Sequence, residues 1–312
     1  MGTIAVTGSV AFDTIMVFPG HFAEHIISDQ AHILNVSFLV DRLEKRRGGT
    51  AANIAYNLAL LGERPLLCAA VGNDFAEYGA ALSAAGVDTS GALMFDDIAT
   101  ASAFITTDAD DNQITAFYAG AMGRSARVDL AMMAGIEHVV VAPDAPDGMR
   151  LHIEQAATLG ARLVFAPAQQ LSSMNDETLL AGIEAAWLLV GNDYEFQVIQ
   201  RRTGREPESL AGGGAIVALT RGGQGSELHI GGAVHRIPVA KAEKLVDPTG
   251  AGDAYIAGLL AGLRAGRDPE VAARVGALAA TYVIEQQGPQ GHQYTREQFA
   301  ERYATSFGQS LH

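Results

Sequence analysis

Short apolar runs alternate along the chain with longer stretches that are rich in alanine and leucine. The run Val139-Val140-Val141 is apolar at every position, which is typical of a strand covered on both faces of a sheet. The stretch 50–61 has a helical composition and is followed by Gly62, as the C-terminus of a helix commonly is. Strands that alternate with helices in this way predict an α/β fold, with a doubly wound, mostly parallel sheet flanked by helices.

The same pattern predicts the bounds of individual elements. Strands are predicted at residues 4–6, 66–71, 101–107, 113–118, 138–142, 162–165, 187–190 and 215–219. Helices are predicted at residues 50–61, 75–85, 147–159, 251–265, 269–286 and 295–303. We see no internal repeat or linker between them, so residues 1–312 are expected to form a single α/β domain.

Two segments depart from this rhythm and predict a small β-sheet lid. Residues 18–47 show little helical periodicity, and residues 92–122 contain strands around turns. Within the second segment, residues 108–112 consist mostly of Asp and Asn, the composition of a hairpin turn. We expect the lid to comprise approximately residues 14–47 and 92–122, paired with each other outside the main sheet.

Composition and charge narrow the classes of function. Hydrophobic residues make up 48% of the 312 residues and charged residues 18%, the profile of a globular protein with a sizeable core. The net charge is −14, and the densest basic cluster is only Lys45-Arg46-Arg47. A nucleic-acid partner is therefore not expected, because phosphate backbones require many clustered cations. A small anion such as ATP can still bind where backbone N–H groups converge.

The single cysteine, Cys68, bears on the cellular compartment. One cysteine cannot form a disulfide within the chain, which favours a reducing environment. No apolar stretch approaches the roughly 20 residues of a membrane-spanning helix. The N-terminus has neither a basic region nor a signal-length apolar run. We therefore predict a cytoplasmic protein without a membrane partner.

Residues 247–253 form the most informative motif, Asp-Pro-Thr-Gly-Ala-Gly-Asp, which runs directly into a predicted helix. The small residues Gly250, Ala251 and Gly252 allow a ligand to approach the backbone, and the helix N-terminus favours a phosphate. Asp253, in the first turn, could take a proton from a hydroxyl that attacks the bound phosphate. In the alternative interpretation, the glycines form a tight turn and Asp253 only caps the helix.

A second motif, Gly48-Gly49-Thr50-Ala51-Ala52-Asn53, also opens a predicted helix. Its two glycines permit a ligand to approach closely, and the Asn53 amide could hydrogen-bond hydroxyl groups. Alone this motif is weak, since a pair of glycines before a helix is more often a plain turn.

Together the two motifs, in this order and about 200 residues apart, resemble the signatures of the ribokinase-like (PfkB) carbohydrate and nucleoside kinases. Gly62 and Gly72 after the first motif, and residues 257–260 after the second, extend the resemblance. It implies the ribokinase-like fold with a small β-lid, and ATP-dependent phosphoryl transfer to a hydroxyl group.

The resemblance assigns a role to several residues. It implies that Asp253 is the catalytic base and that the anion hole is formed by Gly250, Ala251 and Gly252. It implies that the hydroxyl groups of the acceptor are bound by Ser9, Asp13, Gly49 and Asn53. It implies that ATP is bound by Asn192, Thr220, Gly222 and Gly225.

Two cations are also implied. Residues 192–195 read Asn-Asp-Tyr-Glu and resemble the N-x-x-E motif of the family, in which the Glu, here Glu195, helps to place Mg²⁺, partly through water. Asp247 matches a residue that helps to bind a monovalent cation in many members, so K⁺ is a possible activator. Arg221 departs from the family pattern, where Leu or Lys is common, and its contact with ATP is left open.

The acceptor is indicated by a third set of residues. Thr50 stands where ribokinases tend to have Lys, and the segment from Ser37 to residue 41 resembles bacterial adenosine kinases. Phe104 and Phe117 on the predicted lid could sandwich a purine, and the base or the ribose could be hydrogen-bonded by Gln169 and Gln170. In the alternative interpretation, both phenylalanines face the core between lid and sheet.

We therefore predict an adenosine kinase that transfers the γ-phosphoryl group of Mg-ATP to the 5′-hydroxyl. A broader nucleoside kinase, a ribokinase- or fructokinase-type sugar kinase and a catalytically silent ligand-binding relative remain alternatives. The lid could also pair across a two-fold axis and form a homodimer.

Overall fold

The computed structural model describes residues 2–25 and 35–311 of the chain. Its strands are, in chain order, β1 (Thr3–Thr7), β2 (Ala11–Val17), β3 (Arg42–Gly48), β4 (Leu66–Cys68), β5 (Ala70–Gly72), β6 (Leu93–Phe95), β7 (Ala101–Thr107), β8 (Gln113–Tyr118), β9 (Ile136–Val141), β10 (Arg162–Phe165), β11 (Ala186–Asn192), β12 (Ile216–Thr220), β13 (Ser226–Ile230) and β14 (Ala233–Ile237). Its α-helices are α1 (Phe22–His25), α2 (Thr50–Leu60), α3 (Ala76–Ala84), α4 (Pro146–Thr158), α5 (Asp176–Ala185), α6 (Asp193–Thr203), α7 (Pro207–Leu210), α8 (Ala251–Arg264), α9 (Pro269–Ile284) and α10 (Arg296–Phe307).

Eight strands form the main sheet, in the order β14-β13-β12-β11-β10-β9-β1-β4. Strands β12 to β4 in this order are parallel, and β13 and β14 are antiparallel additions at one edge. Alternate residues of β1 enter different cores: Ile4 and Val6 pack with α2 and α8, whereas Ala5 faces the core formed with α4 and α5. Helices thus cover both faces of the sheet, as the continuous apolar runs predicted. The predicted α/β fold with a mostly parallel sheet is confirmed.

The parallel strands end at a common edge of the sheet, and this edge positions the polar residues of the motifs. Ser9 follows β1, Pro143 follows β9 and Gln169 follows β10. Asn192 and Thr220 are the last residues of β11 and β12. In open α/β sheets, ligands bind in the crevice outside these carboxyl ends.

A separate four-stranded sheet has the order β3-β2-β7-β8. Its strands come from both segments that the sequence assigned to a lid, with β2 antiparallel to β3 and parallel to β7. The predicted hairpin joins β7 and β8, and its turn is organised by the buried Asp108 carboxylate, which accepts N–H groups of Phe22, Asp110 and Asn112. Residues 26–34 of the first lid segment lie outside the described residues. We call this four-stranded sheet the small sheet.

Some elements differ from the sequence pattern. The predicted strand 66–71 is two strands, because β4 pairs with β1 in the main sheet whereas β5 pairs with β6. The β13–β14 hairpin and helix α5 were not predicted. The pair Gly231-Gly232 was a sequence signal for this hairpin, because glycine is favoured in type I′ turns. Both glycines have the positive φ that such a turn requires. Among the described residues, no helix is long and apolar enough to cross a membrane.

Candidate active site

A cavity of about 340 Å³ lies at the carboxyl edge of the main sheet, beneath the small sheet. Its volume is within the range of small-molecule sites. Nine predicted site residues line it, namely Ser9, Asp13, Gly49, Asn53, Phe117, Gln169, Gln170, Gly250 and Asp253. The lining is completed by residues that were not among the predicted site residues, namely Ala11, Thr50, Met122, Pro143, Thr249 and Pro289. The structure therefore brings residues from both motifs to one cavity.

Asp253 lies in the first turn of α8, where its carboxylate accepts a hydrogen bond from Asn53 Nδ2 at 2.9 Å. The N-cap of α8 is Gly250, and no side chain among the described residues caps this helix, so Asp253 does not have the simple capping role of the alternative interpretation. Burial raises the pKa of Asp253 to about 7; the Asn53 hydrogen bond lowers this pKa, and the nearby charge of Glu195 raises it. A carboxylate with this pKa is suited to accept a proton near neutral pH.

Both the backbone conformation of Gly250, in the turn that starts α8, and the nearby Pro289 favour glycine at this position. The φ of Gly250 is +85°, and a Cβ at this position would lie 2.5 Å from Cβ of Pro289. A side chain larger than hydrogen would therefore displace the loop that holds Pro289 or the start of the helix. Helix α8 points its positive end, with N–H groups that lack helical partners, at the cavity. A phosphoryl group held here would lie close to Asp253.

The Asn53 side chain is held in one orientation by a second amide. Gln290 Nε2 donates to Asn53 Oδ1 at 2.9 Å and to the Tyr78 hydroxyl at 2.6 Å, and this hydroxyl donates to the Gly48 carbonyl. With its oxygen occupied by a donor, Asn53 turns its own N–H toward Asp253. Sequence reasoning missed Gln290 and Tyr78, since neither lies in a motif and Gln290 is 237 residues from Asn53.

Ser9 and Gly49 shape the wall of the cavity between β1 and α2. Ser9 Oγ accepts the Thr50 N–H at 3.1 Å, and the Thr50 hydroxyl donates to the Pro143 carbonyl. Gly49 has φ +92°, and a Cβ there would lie 2.6 Å from the Ser9 carbonyl oxygen and from the Ala11 nitrogen. The positive φ and the close approach of the backbone of residues 9–11 therefore require glycine at position 49.

Asp13 enters the cavity from β2 of the small sheet. Burial raises the pKa of Asp13, while the positive charge of Arg46 lowers it and the negative charge of Asp247 raises it. Asp13 and Asn53 line the same cavity, so the two side chains that were expected to bind hydroxyl groups are available to one ligand.

The predicted pair of lid phenylalanines requires a correction. Phe104 pairs with Ala116 and Phe117 with Ala103, so the two rings lie on opposite faces of the small sheet. Only Phe117 lines the cavity, and the sandwich of a purine between both rings is wrong. The alternative that both rings are buried in the core is also wrong, because Phe104 is 43% exposed and Phe117 is 55% exposed.

Ser37 also requires a correction, because the structure does not bring it to the cavity. Its side chain is exposed, and it is not among the lining residues. The adjacent Phe38 packs on Phe18 and Phe22, each at 4.9 Å between ring centroids, and holds this part of the chain on an aromatic cluster beside the small sheet. Resemblance of a short segment could not show this packing.

The residues that were expected to bind ATP lie at the neighbouring strand ends, outside the cavity lining. Asn192 caps α6 in a capping box: its side chain accepts the Glu195 N–H, and Glu195 Oε2 accepts the Asn192 N–H at 2.9 Å. Thr220 donates its hydroxyl to the Gly191 carbonyl. Gly222 and Gly225 lie in the following turn, both with positive φ. Glu195, the partner of Asn192 in this capping box, lies near enough to Asp253 for its negative charge to raise the pKa of Asp253.

The Glu195 carboxylate is compatible with Mg²⁺ held through water. Burial raises the pKa of Glu195, and its negative charge acts on Asp253. In the described part of the chain, no cluster of three or more acidic, His or Cys side chains could hold a metal ion by itself. Mg²⁺ commonly retains several waters and binds one or two carboxylates together with substrate phosphates, so Glu195 fits that role.

The Asp247 carboxylate is less suited to K⁺ than Glu195 is to Mg²⁺, because its oxygens already accept hydrogen bonds from the protein. Its Oδ1 accepts the Thr249 N–H at 3.0 Å, and its Oδ2 accepts the Gly288 N–H at 3.0 Å and Arg46 Nη1 at 3.2 Å. Burial raises the pKa of Asp247, but these hydrogen bonds and the charge of Arg46 outweigh it, and the net pKa is lowered. The Arg46 guanidinium thus already places a positive charge beside the Asp247 carboxylate.

Comparison with known proteins agrees with this arrangement. The chain matches the family described as pfkB family carbohydrate kinase over residues 6–296. A nucleoside kinase of Methanothermobacter thermautotrophicus is 29% identical over 303 residues, which cover 95% of this chain and 97% of that protein. The structure of Burkholderia thailandensis nucleoside kinase in complex with inosine is 36% identical, covers 99% of both chains and has a TM-score of 0.88. Another structure of that enzyme, with ADP and inosine, has a TM-score of 0.86 at 37% identity, covering 99% of this chain and 97% of that one.

Similarity to an adenosine kinase is weaker. The adenosine kinase of Sinorhizobium meliloti is 25% identical, with a TM-score of 0.75 over 93% of this chain and 95% of that one. The match to the family nevertheless extends over most of the chain, from β1 to the start of α10. The chain therefore belongs to the pfkB family of carbohydrate kinases, with the ribokinase-like fold, and is an ATP-dependent kinase.

Proposed function

We propose that the protein transfers the γ-phosphoryl group of ATP to the 5′-hydroxyl of a nucleoside. The observation that carries the proposal is the Asp253 carboxylate at the N-terminus of α8, in one cavity with Asp13 and Asn53. A base, an anion site and groups that bind hydroxyls are thereby adjacent. The inosine and ADP complexes of the similar Burkholderia thailandensis enzyme support a nucleoside as acceptor and ATP as donor.

The acceptor is oriented by both sheets in this proposal. Asp13, Gly49 and Asn53 bind the ribose hydroxyls, and a carboxylate that accepts from two neighbouring hydroxyls selects a diol. The base extends toward Gln169 and Gln170, whose amides can donate and accept along its edge. The small sheet acts as a lid that excludes water, which would otherwise compete with the acceptor.

The chemical step uses Asp253 as general base. The 5′-oxygen attacks the γ-phosphorus while the bond to the β-phosphate oxygen breaks, and ADP leaves. Asp253 accepts the proton of the 5′-hydroxyl. The backbone of Gly250, Ala251 and Gly252 and the dipole of α8 stabilise the negative charge on the phosphoryl oxygens in the transition state. The products are a nucleoside 5′-monophosphate and ADP.

ATP is placed beside this centre by the strand ends of β11 and β12. Asn192, Thr220, Gly222 and Gly225 are proposed to contact its phosphates and ribose. Glu195 would hold Mg²⁺ through water, and the ion, when bound, neutralises charge on the β- and γ-phosphates. The carboxylate itself is oriented by the capping box at the start of α6.

Among nucleosides, we propose a purine nucleoside as the acceptor, with adenosine as the first candidate. One face of a purine can stack on Phe117, and the two glutamines offer the hydrogen bonds that distinguish purine edges. With adenosine the product is AMP, which would give the protein a role in purine salvage. A free ribose or fructose would leave the surface of Phe117 unused.

The acceptor is tested by measuring ADP release with Mg-ATP and adenosine, inosine, cytidine, ribose or fructose. We expect turnover with nucleosides, higher kcat/KM for purine nucleosides, and little with free sugars. Turnover with a free sugar alone would overturn the nucleoside assignment and leave a sugar kinase. Stabilisation by nucleosides without any ADP release would instead indicate a catalytically silent relative.

We further propose that the small sheet pairs with that of a second copy in a homodimer. Leu43, Phe104, Ile114 and Tyr118 are exposed on its outer face. Apolar residues exposed together on a sheet are typical of a contact surface. Sedimentation of the intact protein and of a Phe104→Glu variant tests this: a dimer that becomes monomeric supports it, and a monomeric wild type contradicts it.

A further inference from the structure

Arg46 connects the small sheet to the loop that starts α8. It lies on β3, opposite Asp13 of β2 in the register of the small sheet. Its Nε and Nη2 bind the two carboxylate oxygens of Glu44 at 2.8 and 3.0 Å, and its Nη1 binds Asp247 at 3.2 Å. The Arg46 side chain is only 15% exposed, and that of Asp247 only 17%. Two hydrogen bonds to Glu44 therefore orient the guanidinium, and the third joins it to Asp247 in a partly desolvated place.

Asp247 in turn holds the two segments that border the N-terminus of α8. Its Oδ1 accepts the N–H of Thr249, the residue before Gly250. Its Oδ2 accepts the N–H of Gly288, the residue before Pro289, which abuts Gly250. A shift of the Asp247 carboxylate would therefore move both walls of the turn at which α8 begins.

These contacts support one inference, which also rests on the proposed function. We propose that Arg46 is a positioning residue that couples the small sheet to the anion hole, and that its guanidinium takes the place of a monovalent cation at Asp247. Phosphoryl transfer by this protein then does not require K⁺.

Charge and geometry support the substitution. A guanidinium is permanently charged, and K⁺ next to it would be repelled by a like charge at a few ångströms. The Asp247 oxygens already accept three N–H groups. Because β3 carries Arg46 and its neighbour β2 carries Asp13, a nucleoside that engages Asp13 also steadies Arg46. Binding of the acceptor is thereby linked to the geometry of the anion hole.

The experiment compares wild type with Arg46→Ala, Arg46→Lys and the control Arg42→Ala. Arg42 lies on the same strand and also binds Glu44, but it is exposed and has no contact with Asp247 among its described hydrogen bonds. Values of kcat and nucleoside KM are measured in KCl, NaCl and tetramethylammonium chloride at equal ionic strength. Misplacement of a catalytic group by about 1 Å can cost about a hundredfold in rate.

We expect wild-type kcat to agree within about twofold among the three salts. We expect Arg46→Ala to lower kcat by about tenfold to a hundredfold, more than it changes KM, and to gain a specific stimulation by K⁺. Arg46→Lys should retain part of the rate without that stimulation, and Arg42→Ala should resemble wild type. Wild-type activity that depends on K⁺, or Arg46→Ala kinetics equal to those of Arg42→Ala, would overturn the proposal.

Two further measurements guard against misfolding and against failure of the proposed function. Asp247→Asn keeps the shape of the side chain but removes its charge, and in a double variant with Arg46→Ala we expect the two losses of kcat not to add. Additive losses would contradict a shared role. Melting temperatures need no turnover: K⁺ should stabilise Arg46→Ala more than tetramethylammonium does, and wild type equally in both salts. A K⁺-specific stabilisation of wild type would also refute the substitution, whatever the acceptor.

Discussion

At the scale of single residues, Asp253 and Asn53 show what a motif predicts. Their types and spacing indicated a base and a hydroxyl-binding amide, and both line one cavity with a 2.9 Å hydrogen bond between them. The motif could not predict Gln290 or the contact of Arg46 with Asp247. Those contacts join residues 237 and 201 positions apart and depend on how loops meet in the folded chain.

Removal of the Asp253 carboxylate tests the catalytic assignment. We expect Asp253→Asn to lower kcat by about 10²–10⁴-fold, the usual contribution of a general base, without lowering the melting temperature. The control is Asp147→Asn, an exposed acid in the first turn of α4, which should leave kcat unchanged. Near-normal turnover of Asp253→Asn would contradict the assignment.

The raised pKa of Asp253 predicts opposite effects of pH on activity and on stability. The base must be ionised, so kcat/KM should fall as the pH drops through about 7. The folded protein binds this proton more tightly than the unfolded chain, so the contribution of Asp253 to stability is lost as the pH rises from about 4 through about 7. Relative to wild type, Asp253→Asn should therefore gain stability as the pH rises from about 4 to about 7, the window of that titration. A difference in the free energy of unfolding between Asp253→Asn and wild type that stays constant over this range would contradict the titration.

At the scale of elements, the small sheet shows what a sequence pattern predicts and what it does not. Alternation and the Asp-rich turn predicted β7 and β8 with their observed bounds. They could not predict the register across the turn, and a shift of one residue moves a side chain to the other face. Phe117 pairs with Ala103, the residue before Phe104, and the two phenylalanine rings therefore lie on opposite faces of the small sheet.

The register provides a matched pair of variants. We expect Phe117→Ala to raise the nucleoside KM by roughly fivefold to a hundredfold, the range of a lost base–aromatic stack. Phe104→Ala removes the same side chain from the opposite face and should leave KM unchanged. Steady-state kinetics with a purine nucleoside decide the matter. An equal rise in KM for both variants would place the base elsewhere.

At the scale of the whole molecule, the alternation of apolar runs and helices predicted a mostly parallel sheet with helices on both faces, but not the order of its strands. The eight-stranded sheet brings the ends of β1, β9, β10, β11 and β12 to one edge, and this edge explains why distant motifs converge. The antiparallel β13–β14 edge was missed because neither strand has a continuous apolar run and β14 is mostly exposed. The motifs thus predicted residues that line one cavity, whereas periodicity did not predict the edge of the sheet.

The central claim is that this kinase phosphorylates a nucleoside at its 5′-hydroxyl. The most direct measurement is identification of the products formed from Mg-ATP and adenosine or inosine by phosphorus NMR and chromatography. We expect a nucleoside 5′-monophosphate and ADP in equal amounts, and neither with Asp253→Asn on the same time scale. Phosphorylation of ribose or fructose with both nucleosides left unchanged would contradict the account.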